Sequence, residues 1–209
     1  MAGPSGTTKS IPHDQRIARA LVAPLARLGA TPNQVTAFSL LLALVAAGLF
    51  ALGTAQAAHW AAGTFVLARF LDHFDGELAR LTGKSSRFGY YFDYVVGGIS
   101  YAVLFAGIGV GLAGGPLGGW ALVLGLSGVA AALVSLGLNL DLDRQRDLAE
   151  GKAVGYPGLA GFELEDGIYL LAPATWFGWL VPFFVAAGIG ATLYCLWTLG
   201  RVVLARASR

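Results

Sequence analysis

The chain has 209 residues, 56% of them hydrophobic and 12% charged. A soluble domain is nearer half apolar and a quarter charged, so this composition excludes an ordinary soluble fold and points to an integral membrane protein. The net charge of +2 says little by itself, and the single cysteine, Cys195, excludes an intramolecular disulfide. The opening stretch MAGPSGTTKSIPHDQ has no apolar core of the signal-peptide kind, so no cleaved leader is expected. Next, Ile17, Leu21, Pro24, Leu25 and Leu28 recur at helical spacing with Arg16, Arg19 and Arg27 interleaved. That pattern predicts an amphipathic helix lying in the membrane interface, within an N-terminal unit of residues 1–32.

Six apolar runs follow, each close to the 20 or so residues that cross a bilayer. They are roughly 35–53, 57–79, 88–112, 117–140, 163–180 and 181–200. The expected fold is all-α: six transmembrane helices over residues 33–203, with a basic tail at 204–209. Lysine and arginine sit before the first run, between the second and third, between the fourth and fifth, and after the sixth. The loops GTAQAAH, AGGPLGG and ATWFGWLVP carry none. The positive-inside rule therefore puts both termini in the cytoplasm. Gly107 and Gly111 are four apart, as are Gly114 and Gly118, a spacing that lets helices approach closely within a chain or between two copies. A homodimer is the expected assembly.

The charge pattern breaks at LDHFDGELAR, residues 71–80. Asp72 and Asp75 are three apart and share a helix face. Asp75 lies about 7–8 Å before the border marked by Arg80, and Asp93 about 9 Å beyond the one marked by Arg87. One run enters the cytoplasm and the next leaves it, so all three aspartates reach a similar depth on neighbouring helices. Three carboxylates cannot all stay ionised in a low dielectric without compensation, and a divalent cation supplies it. Hard oxygen donors suit Mg²⁺ or Mn²⁺. His73 points off the shared face and is not taken as a ligand. The bland alternative is a set of interfacial ion pairs with Arg69, Arg80 or Arg87; intramembrane ionisable groups favour function.

At these residues the sequence resembles the CDP-alcohol phosphotransferase family. Its pattern is D-x-x-D-G-x-x-A-R, eight residues, then G-x-x-x-D-x-x-x-D. Here Asp72, Asp75, Gly76, Ala79, Arg80, Gly89 and Asp93 meet it at every spacing. The segment TPNQVT, residues 31–36, is similar to the family's entry to its first membrane helix, and the six-span layout is similar too. The resemblance implies an enzyme of phospholipid biosynthesis in a bacterial or archaeal cytoplasmic membrane, its site facing the cytoplasm. A CDP-linked donor, CDP-diacylglycerol or a CDP-alcohol, binds at a divalent metal site. An alcohol acceptor attacks the phosphorus nearer the alcohol, and CMP leaves. Asp72, Asp75 and Asp93 are then the expected metal ligands. Asp72, Gly76, Ala79 and Arg80 form the nucleotide side, with Asn33 bordering it.

The pattern's last aspartate, its general base and a second-metal ligand, falls at position 97, which is Gly97. Three readings stay open. A carboxylate at the start of the fifth run replaces it, from Glu163, Glu165 or Asp166; the catalytic set is then Asp93 with Glu165 and Asp166. Alternatively the chain binds nucleotide and metal with little turnover, or position 97 carries an introduced glycine. Arg144, Arg146, Lys152 and Arg201 are candidates for an acceptor phosphate, although Asp141, Asp143, Asp147 and Glu150 make a solvated mixed-charge loop the plainer reading. Membrane lipids are the expected surroundings. No nucleic-acid partner is expected, because the basic residues follow the membrane border and form no separate groove. The different-class alternative, a cation transporter, requires polar groups running on to the far side of the bundle.

Overall fold

The structure, a computed structural model, describes residues 22–147, 158–159 and 162–207, excluding the side chains of 144–147, 158–159 and 162–166. Residues 22–27 are helical. Then come α1 (Pro32–Ala51), α2 (Ala55–Thr82), α3 (Arg87–Leu112), α4 (Gly119–Asp147), a 3₁₀ segment (Leu164–Leu170), α5 (Leu171–Trp176) and α6 (Leu180–Ala207). A two-residue antiparallel ladder, Gly158–Leu159 with Phe162–Glu163, precedes the 3₁₀ segment. The fold is all-helical apart from that ladder.

The boundaries follow from local chemistry. Thr31 caps α1 in a reciprocal box with Gln34, and Pro32 stands in the first turn, where no amide hydrogen is needed. Thr54 and Ser86 cap α2 and α3 by accepting from the amides of Ala57 and Gly89. Gly83 ends α2 in the left-handed region at φ 66°, where a side chain would be strained. Four helices, α1, α3, α4 and α6, are long and apolar enough among the described residues to cross a membrane. Helix α2 has the length, at 28 residues, but its second half carries Arg69, Asp72, Asp75, Glu77 and Arg80. The fifth run departs most from expectation. It forms a seven-residue 3₁₀ segment running into the six-residue α5, with no single long helix. The rest of the expected fifth span is a turn that hands the chain to α6. Six passages through the bilayer remain a proposal.

Helix α1 packs on both α2 and α3, α4 packs on α3 and α6, and α5 packs on α2. Helices α2 and α3, expected as direct neighbours, make few backbone approaches, because α1 lies between them. Glycine makes that wedge possible. A side chain on Gly107 would collide with Ala47, and one on Gly111 with the Phe50 carbonyl. Gly107 and Gly111 are therefore used inside the chain, whereas a side chain on Gly114 or Gly118 would meet no described neighbour. Gly109 and Gly125 bring α3 and α4 together in the same way.

The core lies toward the end opposite the motif. Phe65, Phe105, Leu171 and Phe184 are buried there among alanines of α1 and α2. Trp60, Trp120, Trp176 and Trp179 stand exposed at that same end, near the starts of α2, α4 and α6 and the end of α5. Tryptophan favours a membrane–water interface, so the band marks one face of the bilayer. At the motif end, Val22 is fully buried against Val35, Phe74 and Leu78, with Leu25 beside it. The expected amphipathic stripe is thus shifted. Pro24 and Leu28 are exposed and Val22 is the inward residue, while Ile17 and Leu21 lie outside the described residues.

Candidate functional site

Asp72 and Asp75 leave one face of α2, and Asp93 faces them from α3. One carboxylate oxygen from each lies within 4.8 Å of the others. The three aspartates therefore come together as the spacing suggested, with α1 packed on both α2 and α3. Helix α1 also supplies partners that were not anticipated. The Thr36 hydroxyl donates to Asp75 Oδ2 in a short hydrogen bond. The Ser39 hydroxyl stands 3.1 Å from Asp72 Oδ1 and 2.8 Å from the Thr36 carbonyl. Both hydroxyls are buried. Thr36 and Ser39 sit one turn apart in a helix that is otherwise apolar beyond its first turn, and that polar pair was the available signal.

Arg69, named from the sequence as an ion-pair partner of the aspartates, takes Asp72. It is 6% exposed, donates to Asp72 Oδ2 at 2.8 Å, and holds its guanidinium 5.1 Å from the centre of the Tyr101 ring. Gly97 lies opposite, where an added Cβ would stand 4.0 Å from Arg69 Nη1. His73, set aside as a ligand, stays outside the carboxylate cluster. Its Nδ1 donates to the Arg69 carbonyl at 2.9 Å, and its ring lines the same cavity.

Around the motif, Arg80 reaches back to Glu77 at 2.7 Å. The Glu77 side chain is buried and that of Arg80 is exposed, so the guanidinium covers one face of the cavity mouth. A Cβ on Gly76 would lie 3.5 Å from Arg80 Nη2, and one on Gly89 would meet Asn33 Oδ1 at 3.1 Å. Gly76 thus leaves room for Arg80 at the cavity wall, and Gly89 lets Asn33 of α1 approach α3. Ala79 is half-buried on α2 beside Arg80.

The aspartates open into a cavity of about 770 Å³ between α2, α3, α4 and α6. Near the carboxylates its wall carries Tyr94, Tyr101, Ser135, Asn139 and Tyr194. Asn139 Nδ2 donates to the Tyr194 hydroxyl at 3.1 Å. Further in, Leu104, Phe105, Ile108 and Phe184 close it with apolar surface. A transport path needs polar groups continuing through that wall, and the lining offers none. The cavity is a one-sided pocket.

The side chains of Glu163, Glu165 and Asp166, of Arg144 and Arg146, and the whole of Lys152 lie outside the described residues. Arg201 stacks on Trp197, its guanidinium 4.8 Å from the ring centre. Asp143, expected in a solvated loop, is buried and accepts from the Tyr90 hydroxyl at 2.5 Å, tying α4 to α3. Asp141 follows the mixed-charge reading, pairing with the exposed Arg206 at 2.8 Å.

Chemically, three hard oxygen donors meeting within 4.8 Å, with no thiolate or imidazole among them, fit a Mg²⁺ or Mn²⁺ ion. Fold and site together define a helical membrane protein with a carboxylate-lined pocket among its helices. Residues 29–154, more than half the chain, match the defining pattern of the CDP-alcohol phosphatidyltransferases. The chain belongs to that family.

Two relatives set the scale of the likeness. The archaetidylinositol phosphate synthase of Pyrococcus horikoshii is 41% identical over 87 residues, which cover 42% of this chain and 45% of that protein. The match thus spans less than half of the relative's length. The phosphatidylinositol phosphate synthase of Mycobacterium tuberculosis (PgsA1), solved with CDP-DAG bound, superposes with a TM-score of 0.69 at 21% identity, over 90% of this chain and 94% of that one. The same enzyme with manganese and citrate gives a TM-score of 0.65 at 24% identity, over 90% and 88%. At these identities the structural likeness establishes the fold.

Proposed function

We propose that this protein transfers a substituted phosphate group from a CDP-linked lipid donor to an alcohol acceptor, with release of CMP, in phospholipid synthesis. The carrying observation is the meeting of Asp72, Asp75 and Asp93 within 4.8 Å at the mouth of a one-sided cavity. Family membership and the CDP-DAG held by the structurally similar synthase support the donor class.

In this reading Asp72, Asp75 and Asp93 hold Mg²⁺ or Mn²⁺. Such an ion, when bound, offsets their charge and draws electron density from the donor's pyrophosphate. Thr36 and Ser39 orient Asp75 and Asp72 from α1, and a ligand set held this way reorganises little on binding. Gly76 and Ala79 leave space for the cytidine, Arg80 faces the departing phosphate from the cavity mouth, and Asn33 borders the nucleotide. The acceptor oxygen bonds to the phosphorus nearer the alcohol. The bond from that phosphorus to the bridging oxygen breaks, and CMP takes that oxygen with its electron pair. The acceptor proton passes to a carboxylate, and Asp93, Glu165 and Asp166 remain the candidates.

The Trp band at one end and the basic borders at the other support a membrane orientation with the site and both termini in the cytoplasm, in a bacterial or archaeal cytoplasmic membrane. The proposed units are residues 1–32, 33–203 and 204–209. A homodimer interface would use faces other than Gly107 and Gly111.

Purified protein in lipid, with Mn²⁺, CDP-diacylglycerol and an acceptor pool, is expected to release CMP, and Asp72→Asn or Asp93→Asn to abolish it. Donor binding unchanged in both variants sinks the assignment. Gly97 favours a second reading, nucleotide binding with little turnover. Donor binding without CMP release, with release appearing in Gly97→Asp, would select it.

A further inference from the structure

The cavity changes character along its length, and three helices show the change in the same direction. On α3 the lining residues Asp93, Gly97, Tyr101, Phe105 and Ile108 recur at helical spacing and form one continuous face. Ile108 lies fifteen residues beyond Asp93, about 22 Å along the axis. On α4 the wall runs from Asn139 through Ser135 to Ala131, and on α6 from Tyr194 through Ala191 and Ala187 to Phe184. Each face is polar at the motif end and apolar at the Trp end. Asn139 and Tyr194 meet across the polar end, where the amide nitrogen donates to the hydroxyl at 3.1 Å. Phe105, Ile108 and Phe184, all buried, close the apolar end. A ligand-sized space of about 770 Å³ with this gradient matches an amphiphile in shape and polarity.

We infer that the alcohol acceptor is a lipid, whose hydroxyl meets the carboxylate site beside the Asn139–Tyr194 pair and whose hydrocarbon chain fills the cavity as far as Phe105 and Phe184. The inference rests on the transferase reading above and names its acceptor class. Direction separates the acceptor from the donor. In an in-line displacement the attacking and leaving oxygens stand on opposite sides of the phosphorus. The nucleotide side of that reading, Gly76, Ala79 and Arg80, lies beyond Asp75 on α2, away from the apolar wall. CMP therefore leaves toward the motif end, and the attacking hydroxyl comes from the interior of the cavity. Its oxygen bonds to the phosphorus, and the bond from phosphorus to the bridging oxygen breaks. CMP takes that oxygen with its electron pair, and the hydroxyl proton passes to a carboxylate of the site. Whatever trails the hydroxyl inward lies against Phe105, Ile108 and Phe184. A polyol there would bury hydroxyls without partners, which is costly, whereas a hydrocarbon chain exchanges one apolar surrounding for another. Small side chains keep the passage wide. A first carbon added at Gly190, in the same wall, would meet no described neighbour within 4 Å, so leucine at that position takes up cavity space.

The test reads cavity occupancy and acceptor choice separately. Purified protein in phosphatidylcholine nanodiscs with Mn²⁺ receives diacylglycerol, the probe for a lipid alcohol, with a diazirine near the end of one chain. Light couples that chain to the residues it touches, which mass spectrometry identifies. Phosphatidylcholine and CDP-diacylglycerol carrying the same chain are the matched probes, and each variant is first checked for an unchanged elution profile. Coupling of diacylglycerol to Phe184, Ala187 and Ala191 is expected to exceed that of phosphatidylcholine by about tenfold. It should fall to the phosphatidylcholine level in Gly190→Leu and in Ala187→Phe, and stay unchanged in Leu126→Ala. Equal coupling by phosphatidylcholine would overturn the inference and leave the cavity to bulk lipid. Coupling by CDP-diacylglycerol alone would also overturn it and give the cavity to the donor's chain. CMP release from unlabelled CDP-diacylglycerol that is supported by a water-soluble polyol phosphate, and not by diacylglycerol, would overturn the acceptor class while leaving the transfer itself standing. CDP-diacylglycerol binding that survives both Asp72→Asn and Asp93→Asn would instead sink the transferase reading beneath it.

Discussion

The two ends of the helical bundle are held together by different physics. At the Trp end, Gly53, Gly107, Gly109, Gly111 and Gly125 bring backbones into contact, and the packed side chains are aromatic or small and apolar. At the other end, Thr36, Ser39, Arg69, Asp75 and Glu77 are buried and joined by charge and hydrogen bonds around an open pocket. The contrast follows from the solvent. Lipid is as apolar as leucine, so helices gain little by hiding leucine from it, and close backbone packing has to hold them. A charge below the interface has the opposite problem and stays only if it is partnered. One end therefore serves as a rigid clamp, and the other keeps its polar groups aimed at a ligand-sized space.

Substitutions that disturb one end and spare the other test this division, beginning with the largest effect. Asp75→Asn keeps an oxygen for the Thr36 hydroxyl but removes the charge. It is expected to reduce Mn²⁺ affinity by about 100-fold or more while leaving the melting temperature within a few degrees, read by metal titration and thermal unfolding. Gly111→Leu does the reverse in kind. Its side chain lands on the Phe50 backbone, which cannot step aside as a flexible side chain would. Overpacking costs about 1–3 kcal/mol even where side chains can yield, so the upper end of that range, or more, is expected. The protein should lose its single elution peak and its thermal transition, and lose metal binding only as a consequence.

Thr36→Val comes next. It leaves a buried Asp75 oxygen without its α1 donor, a change worth about 1–3 kcal/mol, and about 1.4 kcal/mol of that is tenfold in Mn²⁺ affinity. A tenfold change in affinity with an unaltered melting temperature would assign Thr36 to the site. Equal losses in both would assign it to α1 packing. Last, Leu126→Ala touches neither end. Leu126 is 69% exposed on α4, toward the lipid, and both readouts are expected to stay within about 0.5 kcal/mol of the unaltered protein. A larger loss would place a second helix or a second copy of the chain on that face.

The spacing of Asp72, Asp75 and Asp93 could be read without coordinates because it depends on short-range geometry. Helical rise and the depth of basic residues set how far into the bilayer a side chain begins, and these hold whichever helices become neighbours. The pocket's other members could not be read that way. Helix α1 is apolar on nearly every side, so its pattern has no preferred face, and the orientation of Thr36 and Ser39 follows from glycine contacts made by α3, some 70 residues later. The fifth run escaped for a related reason. Its composition suits a membrane helix, but it opens in the acidic stretch GFELED and carries Pro173 and Gly178 within a few turns, and it folds as a 3₁₀ turn and a short helix.

Length, hydropathy, charge asymmetry and the motif were thus enough for a helical membrane protein of this family with an acidic site near one face. Which of the aspartates Arg69 takes, its approach to Gly97, and the wedging of α1 between α2 and α3 were beyond them. Hydropathy reports how deep a residue sits, and periodicity reports its face where a helix has one. Which side chains meet across helices depends on distant close contacts, here chiefly those that Gly107 and Gly111 permit with α1.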